Sequence, residues 1–145
     1  MRYLLAVVAI LGGCATVEPP APVSEPASVP IPAPPAAIEN PAVASLMDGA
    51  RADVAAGRLV NAAASLERAL RIEPRNPRLW QELARVRLKQ GDYAQAESVA
   101  ARSSSWAGGD NRLRAENWRL IAQAREARGD AAGARAALEA AERQR

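Results

Sequence analysis

The sequence predicts an all-α protein built from three helical hairpins, and three observations carry this prediction. The glycines Gly57, Gly91 and Gly129 are spaced 34 and 38 residues apart. Each follows a helical pattern of apolar residues and precedes an alanine-rich stretch. Prolines are concentrated ahead of this region, where they disfavour helices and strands. Because repeated hairpins bury their apolar faces mainly against one another, the pattern predicts a short solenoid.

The three hairpins share a residue pattern that resembles the tetratricopeptide repeat. Small residues recur where two helices of a hairpin approach closely, large residues fill the gap between hairpins, and glycine ends each first helix. The matching positions are Ala50, Ala62, Ala84, Ala96, Ala122 and Ala134 among the small residues, and Leu46, Trp80 and Trp118 among the large ones. The resemblance implies three tetratricopeptide-like hairpins in a short right-handed solenoid, with repeats near 43–76, 77–110 and 115–145.

Two departures from the repeat pattern occur around the second and third hairpins. Ser103 replaces an alanine that the family has late in its second helix. The segment 103–114 lacks the proline that Pro74 supplies after the first hairpin, and it belongs to a four-residue lengthening. We therefore expect the third hairpin to be rotated relative to a regular superhelix.

The first 14 residues resemble a bacterial lipoprotein signal. Arg2 is followed by the apolar run Tyr3–Leu11, which is too short to span a membrane and ends in Gly12-Gly13-Cys14. The resemblance implies that residues 1–13 are removed and that Cys14 is lipidated and becomes the mature N-terminus. In the same sorting pattern, Ala15 after the cysteine points to the periplasmic face of the outer membrane.

Residues 14–42 are predicted to be a proline-rich linker between the lipidated cysteine and a repeat domain at 43–145. Nine of the eleven prolines lie in this linker, so extended polyproline II is favoured over regular secondary structure. At about 3.1 Å per residue, the 27 residues 15–41 of this linker reach roughly 80 Å when extended. It either carries the repeat domain into the cell-wall mesh or only clears the lipid surface.

The composition excludes most catalytic chemistry. The chain has no histidine and a single cysteine, and it contains no nucleophile elbow, Ser-x-x-Lys motif, Walker loop or dinucleotide fingerprint. The sequence therefore predicts a protein that is not an enzyme and needs no metal or cofactor. Few aromatic residues interleave with the basic ones, and the predicted export also argues against nucleic-acid binding.

Tetratricopeptide arrays bind peptides or partner domains along a concave surface lined by the first helix of each repeat. From residue 43 onward the chain has 18 basic and 13 acidic residues, and all but one of the basic residues are arginine. Arginine suits bidentate contacts to carboxylates, which predicts an acidic or C-terminal segment of a partner, although these charges could also pair internally. The predicted concave residues are Met47, Arg51, Val54, Arg78, Gln81, Arg85, Leu88, Lys89, Glu116, Arg119, Gln123 and Glu126.

Trp106 is a candidate anchor outside the concave surface. It takes the repeat position that Ile72 holds in repeat one, which favours packing at a helix end over an exposed contact. One tetratricopeptide subclass clamps a C-terminal carboxylate with Lys and Asn residues. That clamp is absent, because the equivalent positions hold Met47, Arg51, Glu82, Glu116 and Leu120.

A lipid anchor, a proline-rich linker and a small repeat array together resemble the LpoP-type lipoproteins of pseudomonads and their relatives. The resemblance implies binding to a periplasmic protein and activation of a bifunctional class A penicillin-binding protein, by shifting that synthase toward its active conformation. Three alternatives remain open. The array could be an adaptor for a periplasmic protease or peptidoglycan hydrolase, as NlpI-like lipoproteins are, a pilotin for a secretin, or a structural tether.

Overall fold

The structure is a computed structural model that describes residues 40–144, and six α-helices make up this part of the chain. The predicted signal 1–13, Cys14 and most of the proline-rich linker lie outside the described residues. Within 40–144 there is no strand, and no helix is both long and apolar enough to cross a membrane. The helices are α1 (Pro41–Ala55), α2 (Leu59–Ile72), α3 (Pro77–Lys89), α4 (Tyr93–Trp106), α5 (Asn111–Ala127) and α6 (Ala131–Glu142).

The helices pair as α1 with α2, α3 with α4, and α5 with α6, which confirms the prediction of three helical hairpins. Each pair is joined through a glycine in the left-handed conformation, with φ of 74° at Gly57, 79° at Gly91 and 81° at Gly129. L-residues with a Cβ adopt this conformation only with strain, whereas glycine does so freely. The regular glycine spacing in the sequence therefore marks the turn inside each hairpin.

Side-chain caps fix where several helices begin. Asn40 and Asn76 cap α1 and α3, and each is followed by a proline at the first helical position, where a missing N–H has no helical partner to lose. Aspartates take the same role in the other hairpins: Asp92, Asp110 and Asp130 cap α4, α5 and α6. The local sequence thus sets the start of five of the six helices.

The six small residues predicted to lie between paired helices are all buried, at 6% exposure or less. The core forms two clusters, one between α1, α2 and α3 around Leu66 and Leu79, and one between α3, α4, α5 and α6 around Ile121. Val99 on α4 packs against both clusters. The middle hairpin, α3 with α4, therefore contributes side chains to both core clusters.

The third hairpin begins four residues before the predicted start of repeat three. Asp110 accepts a hydrogen bond from the Leu113 backbone N–H at 2.9 Å, so α5 begins at Asn111 and the additional residues form an extra helical turn. The guanidinium of Arg114 in this turn donates to the Gly108 carbonyl and, at 3.0 Å, to the Gln144 side chain. The four additional residues are thus part of α5. Through Arg114, this turn contacts both the connection that precedes α5 and the segment that follows α6.

Candidate functional site

The surface lined by the first helices α1, α3 and α5 contains two neighbouring cavities. The first lies between α1 and α3 and has a volume of about 120 Å³. Its wall is mostly apolar, and Arg51 and Glu82 are its two charged residues. The apolar lining residues are Met47, Ala50, Val54, Leu66 and Val86.

The second cavity lies between α3 and the beginning of α5 and has a volume of about 260 Å³. It is polar, and Glu116 is its central carboxylate: one oxygen accepts from Arg85 at 3.2 Å and the other from Arg112 at 3.4 Å. Arg78, Gln81, Asp110 and Leu113 complete the lining. An apolar and a polar cavity on the same three helices can together hold a segment that presents one apolar and one polar side chain.

Most of the arginines predicted for this surface are paired within the array. Arg51 donates to Asp48 at 3.1 Å, Arg85 pairs with Glu116, and Arg119 lies 3.8 Å from Glu142 on α6. These pairs neutralise charge that the sequence had suggested was available to a partner. Of the basic residues predicted for this surface, only Arg78 and Lys89 are exposed without an ion pair among the described residues, so the free positive charge of this surface lies at the two ends of α3.

Comparison with known proteins identifies the fold family. A tetratricopeptide-repeat family model matches residues 53–123. The globular C-terminal domain of P. aeruginosa LpoP is 50% identical in sequence and superimposes with a TM-score of 0.70, covering 71% of this chain and 97% of that domain. The chain belongs to the LpoP family. No match was found among curated proteins.

Gln81 of this LpoP-family array is more buried than predicted. Gln81 was predicted to face a partner, but its side chain is 5% exposed and donates from Nε2 to Asn117 Oδ1 at 3.1 Å. The Asn117 amide then donates to Ser103 Oγ at 2.8 Å, and Ser103 donates to the Pro77 carbonyl at 2.7 Å. Gln81 therefore belongs to a buried polar network that joins α3, α4 and α5.

The other predicted concave residues of the LpoP-family array divide into two groups. The cavities bring together Arg51 with Val54 and Arg78 with Gln81. Six of the twelve line neither cavity: Arg85, Leu88, Lys89, Arg119, Gln123 and Glu126. Leu88 is half-buried against the second core cluster, and Lys89, Arg119 and Gln123 lie further along α3 and α5. Glu82, which sequence reasoning placed only among the missing clamp positions, is instead a charged residue of the apolar cavity.

Trp106 does not pack into the core of the LpoP-family fold, contrary to the prediction. Its side chain is 39% exposed at the end of α4, and the Arg75 guanidinium covers the indole at 5.2 Å from the ring centroid. The repeat equivalence was nevertheless sound, because Ile72 at the end of α2 is also exposed, at 45%. Helix-end residues at this repeat position face outward in both hairpins.

No constellation suited to metal binding is present in the part of the chain that the structure describes, since no three His, Cys, Asp or Glu side chains cluster there. Glu97 pairs with two arginines: it accepts from Arg125 Nε at 2.9 Å and from Arg128 at 3.4 Å. The hydrogen bond to Glu97 is the main cause that raises the pKa of the Arg125 guanidinium, with the charges of Glu97 and Asp130 adding and burial opposing. These contacts join α4 to α5. Taken with the fold and the two cavities on the first helices, the similarity to LpoP indicates a protein-interaction domain.

Proposed function

We propose that this chain is an outer-membrane lipoprotein whose array binds a periplasmic protein and activates a bifunctional class A penicillin-binding protein in peptidoglycan synthesis. The observation that carries the proposal is the 50% identity to LpoP over 97% of its globular domain. Tetratricopeptide repeats alone would leave the partner open, because one repeat fold serves many partners. Identity of this extent within a small interaction domain favours the type of partner that the resemblance to LpoP implies.

The chemistry of the concave surface supports docking of a protein segment. A partner side chain of aliphatic character suits the apolar cavity between α1 and α3, and a carboxylate suits Arg78, which has no ion pair among the described residues. Activation then follows if the array binds the active conformation of the synthase more tightly than the inactive one. No bond is made or broken on this chain.

The N-terminal residues supply the location in this proposal. Cys14 is the lipidation site in this proposal, and the residues between it and Asn40, which caps α1, form the linker between the lipid and the repeat domain. Their extended reach of roughly 80 Å would let an array anchored in one membrane meet a synthase anchored in another. Residues 1–13 would be removed on export.

A polymerisation assay tests the proposal directly. The predicted mature chain, residues 14–145 with Cys14→Ser, is added to the class A synthase of the same organism, and the rate of glycan polymerisation is measured. We expect stimulation by the wild-type array, and loss of most of it with Arg78→Glu, which reverses the free charge in the polar cavity. Arg135→Glu on the exposed side of α6 is the matched control and should retain stimulation. An unchanged rate with the wild-type array would contradict the proposal.

Linker length separates this function from the alternatives. Deleting half of residues 15–41 should abolish complementation in cells, because the array no longer reaches its partner, while stimulation in solution persists. A pilotin that works at the membrane would tolerate the deletion. An adaptor for a protease or hydrolase would instead show recovery of that enzyme with the array and no effect on polymerisation.

A further inference from the structure

The two ends of the array differ in what they contain. The connections inside the hairpins are short, so successive helices alternate in direction and their ends collect on two sides. We call one side the loop end: it holds the start of α1, the connections 73–76 and 107–110 between hairpins, and the end of α6. The hydrogen bond from Ser103 to the Pro77 carbonyl and the stacking of Arg75 on Trp106 hold this end together. The opposite side, the turn end, holds the three glycine turns.

Charge is distributed unequally between these two ends. At the loop end, the segments 71–78, 102–114 and 142–144 contain seven arginines and three acidic residues. At the turn end, the segments 53–58, 87–92 and 125–130 contain five basic and four acidic residues. Arg71 and Arg75 at the loop end have no ion pair among the described residues. The loop end is therefore the more positive side of the array.

Exposed apolar side chains accompany this charge. Ile72 and Trp106, the last residues of α2 and α4, are 45% and 39% exposed in successive hairpins. The Arg75 guanidinium lies on one face of the indole, so cation and ring are presented together. Tryptophan and arginine combine an apolar body with a polar head, which suits the boundary between lipid headgroups and acyl chains.

We propose that the loop end binds the anionic surface of a lipid bilayer. The 39 residues that precede Asn40 join the array at this end, so the side from which the predicted lipid anchor is attached is also the basic, Trp-bearing side. Basic residues are attracted to an anionic bilayer, and a tryptophan favours the interface between headgroups and acyl chains. Both contributions strengthen such binding. This surface is additional to the apolar cavity proposed for a protein partner, and it gives the array a membrane-docked position as well as an extended one.

Vesicle binding without the covalent lipid tests this proposal. Residues 14–145 with Cys14→Ser are sedimented with vesicles of phosphatidylethanolamine and phosphatidylglycerol, and with vesicles of phosphatidylcholine alone. We expect binding to the anionic vesicles only, weakening as salt rises, together with quenching of tryptophan fluorescence by brominated lipid that Trp106→Leu removes. The double variant Arg71→Gln and Arg75→Gln should lower the binding constant by about fivefold per arginine.

The control variant carries the same change of charge at the turn end, as Arg58→Gln with Lys89→Gln, and should bind like the wild type. No binding to anionic vesicles, or equal losses in the two double variants, would overturn the proposal. Equally tight binding of soluble polyglutamate would also overturn it, since the surface would then fit an acidic protein. Because no synthase is present, failure here is distinct from failure of the proposed activation.

Discussion

At the scale of single residues, Asn117 is the centre of the interior polar contacts. Its side chain is fully buried and accepts from Gln81 on α3 while donating to Ser103 and Ser104 on α4. Because each buried group has a partner, the network costs little in the folded state, but removing one member leaves the others without theirs. The network therefore favours one placement of α5 against the middle hairpin.

Asn117→Ala should destabilise the protein by about 1–3 kcal/mol, because Gln81 loses its acceptor and Ser103 loses a donor. Urea denaturation of the variant and wild type measures the difference. Gln123→Ala is the control, since Gln123 is exposed on the same helix. A loss of the same size in both variants would mean that the effect comes from helix propensity and not from the network.

A pair of glycines in the first hairpin allows backbone strain to be measured in isolation. Gly57 has φ of 74° and Gly49 lies within α1, and a Cβ added at either position would meet no atom within 4 Å. Gly57→Ala should cost about 1–2 kcal/mol through left-handed strain alone. Gly49→Ala should stabilise by about 0.5–1 kcal/mol, because alanine favours the helix. Thermal or urea unfolding decides this, and a stabilising Gly57→Ala would refute the role given to the turn.

At the scale of helices, the features that depend on nearby residues were predictable and those that depend on distant ones were not. The left-handed turns follow from glycine itself, and the helix pairing follows from the spacing of small residues. The predicted start of repeat three near 115 lies one helical turn after the observed start of α5 at Asn111, although Asp110, a residue type that commonly caps helices, precedes it. The burial of Gln81 depends on Asn117, which lies 36 residues further on, and no local periodicity reveals such a partner.

In the candidate site, too, groupings within one helix could be predicted from the sequence, whereas contacts between hairpins could not. Helical spacing placed Arg51 and Val54 on one face of α1, and both line the apolar cavity. It could not show that Arg85 is neutralised by Glu116, because that pair joins different hairpins. Serine at position 103, where the family has alanine, was the one sequence signal of a polar interior.

At the scale of the whole molecule, the third hairpin depends on ionic contacts as well as on apolar packing. Arg125 on α5 reaches both Glu97 on α4 and the Gly133 carbonyl on α6. A single guanidinium therefore joins three helices, and its loss should loosen the third hairpin while sparing the first.

Arg125→Gln should lower stability by about 1 kcal/mol, since the pair is partly exposed. Amide hydrogen exchange should accelerate in α6 and remain unchanged in α1. The contacts of Arg125 raise its pKa above the value that it has in the unfolded chain. Its contribution to stability is therefore complete at every pH below the unfolded pKa and is lost only as the pH rises through the folded pKa. The stability difference should thus be constant from pH 6 to 10. Arg135→Gln, exposed on α6, is the control, and faster exchange in α1 would contradict this localisation.

The position of Asn40 has a mechanical consequence. The residues before it join the array at the first hairpin, whereas the Asn117 network joins the second hairpin to the third. If a partner binds α3 tightly, a force applied to the N-terminal segment is transmitted to α3 through α1 and α2. The helices α5 and α6 do not bear this force. Stretching the molecule between its N-terminus and α3 would then peel off the first hairpin and leave the other two folded.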